Sequence, residues 1–242
     1  MASSTQRPAG DAYRITRSTV LTGKNQAVDL FSTVIFDFGD TLFHSPSGVD
    51  VLVEAGVDRA RAEALWEDVW AVSKTAEELA KGRDVSAARH RQAWLDLFRP
   101  AEALAPGIAT VLYERVMAHD EWLPYPDSAG VLADLHGRGV RIGVLSNIPS
   151  SLRPVFERHG LDRYVAAYTE SYRAGRAKPD PELFLAACAD LGVEPAAALM
   201  VGDSHVADGA AVLAGLTCLL LPPVSPGSAR GLDRVIGLCC GG

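Results

Sequence analysis

A chain of 242 residues, 48% of them apolar, with a formal charge of −7, has enough apolar surface for one large domain or for a core with a smaller insert. Its acidic, mixed-sign balance, with no basic run interleaved with aromatics, speaks against a nucleic-acid partner. No apolar stretch approaches the ~20 residues of a bilayer span, so no membrane role is expected. Residues 1–30 lack the apolar stretch of a secretory signal and read as an N-terminal extension.

The first strand is expected at Thr33–Phe38, a short apolar run that ends in polar and turn residues. Leu65, Val69, Val72, Ala76 and Leu79 then recur at spacings of four and three, the signature of one helical face, until Gly82 and Asp84 break it. Further helices are expected at Ser86–Leu97, closed by Pro100, and at Ile108–His119, before the turn-rich connector Trp122–Pro126. From there strands and helices alternate: helix Asp127–Gly137, strand Arg141–Leu145, helix Ser151–His159, strand Tyr164–Tyr168, helix Pro181–Leu191, strand Ala198–Val201, helix Asp208–Ala214 and strand Thr217–Leu221. Alternation of this kind predicts an α/β fold, a Rossmann-like parallel sheet with helices on both faces, carrying an inserted α-helical module. The stretch Pro222–Gly227 reads as a loop-like tail. Cys188 and Cys218 lie in apolar runs and are expected to be buried thiols, Cys239 and Cys240 to be exposed near the Gly-rich end. Four cysteines without metal-ligand spacing fit a reducing, cytoplasmic setting better than a disulfide scaffold.

Four polar clusters fall at strand ends or just before a helix: Asp37, Ser146-Asn147, Lys178 within Gly175–Pro181, and Asp203 with Asp208. In a parallel sheet the carboxyl ends of the strands share one edge, so the clusters can converge. A phosphate ester would give each a task. Asp37 is a carboxylate nucleophile. Asp203 and Asp208, with Asp37, offer hard oxygens to Mg²⁺. Ser146, Asn147 and Lys178 can contact phosphoryl oxygens and neutralise their charge. Taken singly, each has a plainer explanation: Asp203 and Asp208 as helix caps, Ser146-Asn147 as turn residues, Lys178 as a surface lysine.

Taken together, the clusters resemble the motifs of the haloacid dehalogenase superfamily: Asp37–Leu42 is similar to the first, Ser146 to the second, Lys178 to the third and Gly202–Asp208 to the fourth. The resemblance covers about Thr33 to Leu221. It implies a core of residues 31–44 and 124–242, a C1-type helical cap at 45–123, and Mg²⁺-dependent hydrolysis of a small phosphorylated metabolite through an aspartyl phosphate. Monomer and homodimer both remain open. In the family's phosphatases a second Asp, two residues after the nucleophile, protonates the leaving oxygen. Here that position is Gly39, which retains only the backbone carbonyl that ligates the metal.

A positioned acid–base group contributes about 10²–10⁴-fold. Its absence leaves three routes: Asp40 turns inward, His44 or His205 or a cap residue substitutes, or the leaving group departs unprotonated, as an acyl or aryl phosphate would. It also keeps open a 2-haloacid dehalogenase, which needs neither that acid nor a metal, and a weakly active or inactive relative that binds a phosphorylated ligand or a protein. A phosphonate-cleaving relative would use a cap lysine; Lys74 and Lys81 lie in a charged helical stretch and are expected to be solvated. Trp66 and Trp70 are expected to pack rather than bind substrate, and His90, between Arg89 and Arg91, to lie on a solvated face. His119, His136 and His159 sit near helix ends and are expected to serve there.

Overall fold

A computed structural model of the chain describes residues 31–224 and 227–239. The N-terminal extension, Cys240 and part of the Pro222–Gly227 tail lie outside the described residues. The first strand, β1 (Thr33–Phe36), leads through the two-residue β2 (Phe43–His44) into six helices. These are α1 (Val49–Glu54), α2 (Arg59–Ser73), α3 (Ala76–Ala80), α4 (Ala87–Leu97), α5 (Arg99–Glu102) and α6 (Ile108–Met117). Strand β3 (Leu123–Pro124) pairs antiparallel with β2 and closes the excursion. The alternating half follows: α7 (Ser128–Gly137), β4 (Arg141–Ser146), α8 (Arg153–Arg158), β5 (Ala167–Glu170), α9 (Ser171–Ala174), α10 (Pro181–Leu191), β6 (Ala198–Gly202), β7 (Thr217–Leu220) and α11 (Asp233–Cys239).

Five strands form one parallel sheet in the order β5-β4-β1-β6-β7. The order reverses at β1, so a crevice opens at the carboxyl ends of β1, β4 and β6. Alternate residues of β1 serve opposite faces: Val34 and Phe36 join the apolar cluster with Leu132 and Phe156, while Ile35 joins Phe184 and Met200. The inserted helices bury a cluster of their own around Leu52, Trp66, Phe98 and Leu112.

Several boundaries differ from expectation for local reasons. The single helical face through Leu79 is two helices, because the Thr75 side chain accepts from Glu78 N and caps α3. The first strand stops at Phe36, and Asp37 N instead donates to Val201 O at 2.8 Å. Residues 162–164 form a 3₁₀ turn, which moves the expected strand Tyr164–Tyr168 to Ala167–Glu170. The expected helix Asp208–Ala214 is 3₁₀ in type. Helix α11 was not expected at all; it buries Val235 and Cys239, so Cys239 is a core thiol rather than an exposed one. Of the pair at positions 66 and 70, Trp66 stacks on Phe98 at an interplanar angle of 12° as packing, whereas Trp70 also reaches the cavity described below. Among the described residues no helix is long and apolar enough to cross a membrane.

Candidate active site

Asp37 follows the last residue of β1, Ser146 ends β4, and Asp203 follows β6, so all three come out on the same sheet edge. Asp208 arrives from the turn after β6 and folds back: Ser204 N donates to its Oδ2 at 2.9 Å. That return requires Gly202, since a Cβ there would lie 2.2 Å from Asp208 Oδ2. Lys178 sits between the two buried aspartates. Its Nζ donates to Asp37 Oδ1 and Asp208 Oδ1, both at 2.6 Å, and to Leu145 O at 3.1 Å. Asn147 holds the lysine loop from both sides, accepting from Lys178 N at 2.7 Å and donating to Lys178 O at 2.9 Å. The amide expected to meet phosphate is thus committed first to positioning the lysine.

Carboxylate oxygens of Asp37, Asp203 and Asp208 lie within 4.8 Å of one another. Burial is the largest influence on Asp37 and pushes its pKa up to about 7, with Asp208 and Asp203 adding to the rise and Lys178 opposing it. Asp203 is raised too, again chiefly by burial. Burial alone would lower Lys178, but its two carboxylate partners outweigh that and keep it charged. Three hard oxygen donors, crowded and short of positive charge, fit a small divalent cation.

The loop after the nucleophile is turned inward. Asp40 adopts a left-handed backbone (φ 54°), and Arg230 Nε donates to its carbonyl at 2.6 Å. Arg230, a buried residue from the far end of the chain, went unnoticed in the sequence because its partners are distant backbone carbonyls. The Asp40 carboxylate accepts from Ser45 Oγ at 2.9 Å and from Lys74 Nζ at 2.8 Å. Burial would raise its pKa, but Lys74 and Ser45 hold it below the usual range, in its ionised form. Lys74 also donates to Asp203 Oδ2 at 2.8 Å. It is therefore not simply solvated, as expected: at the end of α2 it ties the helical insert to two core carboxylates. Lys81 is exposed and pairs with Glu78.

Beside Gly39 stands the indole of Trp122, 3.3 Å from where a Cβ would be. A side chain at position 39 would press on that ring and make it give by a few tenths of an ångström. Its Nε1 donates to Val116 O at 3.1 Å, and Trp122 O lies 3.1 Å from His159 Nε2. A cavity of about 140 Å³ opens onto Asp37, Ser146 and Lys178, and the inserted helices supply its far wall. Neither His44 nor His205 lines it.

His90 is buried in that wall rather than solvated, with Nδ1 3.2 Å from Tyr113 Oη and Nε2 3.8 Å from Asp84 Oδ1. Burial, reinforced by Arg83, pushes its pKa down to about 3. Between pH ~6.5 and ~3 the unfolded chain binds a proton that the folded chain refuses, so stability falls as pH falls, by about 1.4 kcal/mol per pH unit. Urea unfolding is expected to show that His90→Phe loses about 2 kcal/mol less than the parent chain between pH 7 and pH 5. Equal losses would mean that His90 protonates freely in the fold.

Comparison with known proteins agrees with this geometry. The family model for haloacid dehalogenase-like hydrolases matches residues 31–215. Haloacid dehalogenase-like hydrolase domain-containing protein 3 of Bos taurus is 29% identical over 192 residues, 72% of this chain and 74% of the relative. The phosphoserine phosphatase of Thermus thermophilus is 32% identical over 203 residues, 72% of this chain and 82% of that protein. Among solved structures, a dehalogenase with an intermediate complex superposes with a TM-score of 0.70 at 23% identity, covering 89% of this chain and all of that one. The L-2-haloacid dehalogenase of Xanthobacter autotrophicus gives 0.65 at 24% identity, covering 86% and 88%. With the sheet order, the carboxylate edge and the family match in agreement, this chain belongs to the haloacid dehalogenase-like hydrolases.

Proposed function

We propose that the chain hydrolyses small phosphomonoesters with Mg²⁺ through an aspartyl phosphate on Asp37. The observation that carries this reading is the buried ammonium of Lys178, shared by Asp37 and Asp208 beside Asp203. A dehalogenase attacks carbon and has no need of a cation site, which leaves the three-carboxylate cluster unexplained. Relatives named as phosphoserine, glyceraldehyde 3-phosphate and phosphoglycolate phosphatases support a phosphate ester.

In this mechanism an oxygen of Asp37 attacks phosphorus and the ester oxygen leaves. Lys178 offsets charge on the nucleophile and on the transferring group. Ser146, buried at the end of β4, contacts a phosphoryl oxygen. A divalent cation held by Asp37, Asp203, Asp208 and the Gly39 carbonyl would supply charge neutralisation between the anionic ester and the carboxylates. The helical insert, residues 45–123, acts as a cap over the core of 31–44 and 124–242; Lys74 latches it through Asp40 and Asp203, and release of that latch admits substrate. We assign Asp40 to this latch rather than to proton donation, because its carboxylate is held ionised. The free thiols Cys188 and Cys218 support a reducing, cytoplasmic setting.

The test is release of inorganic phosphate from p-nitrophenyl phosphate. Turnover is expected with Mg²⁺, to fall at least about 10²-fold in EDTA, and to return when Mg²⁺ is restored. Metal-independent release of chloride from 2-chloropropionate, with no phosphatase activity, would establish the dehalogenase instead. Tight binding of a phosphate ester without turnover would establish a binding protein.

A further inference from the structure

Resting on the phosphatase reading above, we infer that the leaving group is a single aromatic ring bearing a hydrogen-bond acceptor, so that the substrates are aryl phosphomonoesters.

Three separate observations converge on this class. The first is the wall of the cavity. Its wall carries Trp70, Leu79, Trp94, Val116, Met117 and Trp122, three of them indoles, alongside the polar Ser73, Arg83, Asp84 and His90. An apolar cavity near 150 Å³ takes up benzene, and this one is about 140 Å³. It has room for one six-membered ring against aromatic faces. A fused ring pair or a nucleoside is too large.

The second is an unpaired donor, Trp94 Nε1. Among the described residues, four buried side-chain polar atoms have no hydrogen-bond partner, and two of them, Trp94 Nε1 and Arg83 Nε, belong to residues that line this cavity. Trp94 is 4% exposed. Arg83 anchors its guanidinium through Nη1 to Ser73 O at 2.6 Å, and its Nε lies 3.3 Å from Asp84 Oδ1 without hydrogen-bond geometry. Buried donors are nearly always satisfied, and orphaned ones carry a desolvation cost. An acceptor on the bound ring would answer Trp94.

The third is the chemistry of position 39. Gly39 brings no acid, and Trp122 occupies the space beside it. With Asp40 tied to Lys74 and Ser45, and the remaining acid of the wall, Asp84, paired with Arg83, in this proposal the ester oxygen leaves with its electron pair and no proton. An aryl oxygen can, because the ring delocalises the charge; an alkoxide cannot at a comparable rate. In the first step the Asp37 O–P bond forms and the P–O(aryl) bond breaks, releasing phenolate. In the second, water attacks phosphorus, the Asp37 O–P bond breaks and the carboxylate returns. The proton lost by water reaches the phenolate through solvent, so the sum is aryl phosphate plus water giving phenol plus hydrogen phosphate.

The experiment compares kcat/KM of the Mg²⁺-loaded enzyme for phenyl, 4-acetylphenyl, 1-naphthyl and benzyl phosphates and glycerol 3-phosphate. Phenyl phosphate is expected to exceed benzyl and glycerol phosphates by at least about 10²-fold, and 1-naphthyl phosphate to fall below phenyl. The 4-acetylphenyl ester is expected to exceed phenyl, and Trp94→Phe to narrow that ratio about tenfold, the worth of one buried hydrogen bond. Met117→Trp, which fills the cavity instead of emptying it, is expected to depress aryl turnover more than glycerol phosphate turnover. Binding of 4-hydroxyacetophenone, followed by calorimetry without metal, is expected to weaken about tenfold in Trp94→Phe. Glycerol phosphate hydrolysed as fast as phenyl phosphate, or a 4-acetylphenyl-to-phenyl ratio that Trp94→Phe leaves unchanged, overturns the inference and leaves the phosphatase standing. No phosphate from any ester overturns the phosphatase, and the calorimetry then decides the cavity: no binding of the phenol removes the ring site as well.

Discussion

Asp37→Asn is expected to lower kcat for phosphate release at least about 10³-fold while making the metal-free protein more stable, by about 1–3 kcal/mol at neutral pH. The two signs follow from one environment. Asp37 is 8% exposed, and burial pushes its carboxyl up to about 7 despite the ammonium of Lys178 2.6 Å away. A carboxylate raised in this way costs stability wherever the unfolded chain has already ionised. The cost begins near the unfolded value of 3.8, grows as pH rises, and is complete above about 7. An asparagine keeps the shape and still accepts from Lys178, which retains Asp208 as its counter-ion. The nucleophile, however, is gone. Urea unfolding in EDTA from pH 4 to pH 8 should show a gap between the two proteins that opens with pH. An aspartate with a purely structural role would behave in the opposite way: breaking its ion pair with Lys178 would destabilise the protein at neutral pH. Stability lost in the variant would overturn the expected gain, and activity kept would remove Asp37 from the chemistry.

Much of this arrangement is legible in the sequence. The apolar run into Asp37, the strand ends at Ser146 and Asp203, and the lysine before α10 are local features, and a parallel sheet brings them to one edge without further information. What stayed hidden depends on distant partners. Lys74 lies in a charged helical stretch, and only the placement of that helix over the core turns its ammonium toward Asp40 and Asp203. His90, flanked by two arginines, looks like a solvent-facing residue until Tyr113, 23 residues later, packs beside it. Gly82 and Asp84 read as a break between helices, and residues 83–85 do form a 3₁₀ turn, yet Arg83 and Asp84 are buried in it. Helix α11 follows a loop-like, Pro- and Gly-rich tail that gives no sign of it. The crowding beside Gly39 was the least visible of all, because it comes from a tryptophan 83 positions away.

That tryptophan leads to an expected gain of activity. Restoring the acid with Gly39→Asp alone is expected to fail, because the new Cβ meets the Trp122 ring at 3.3 Å and the ring has little freedom to retreat. It is 7% exposed, its indole N–H is spent on Val116 O, and it packs on Phe38 with ring centroids 4.6 Å apart. Overpacking of this kind costs about 1–3 kcal/mol and leaves the carboxyl misdirected. Trp122→Val alone removes part of the wall and is expected to weaken phenyl phosphate binding without helping alkyl esters. The double variant Gly39→Asp/Trp122→Val has both the acid and the space for it. A positioned acid contributes about 10²–10⁴-fold where the leaving group needs a proton, and imperfect placement puts the expected gain at the lower end. Turnover of benzyl phosphate should therefore rise up to about 10²-fold over the Trp122→Val parent, while phenyl phosphate, whose oxygen leaves readily as phenolate, gains far less. The measurement is kcat for both esters across the four proteins of the cycle, with the coupling between the two positions read from the benzyl series. If Gly39→Asp alone gives the full gain, Trp122 does not exclude the acid. If the double variant gains equally on both esters, protonation of the leaving oxygen is not what this site lacks.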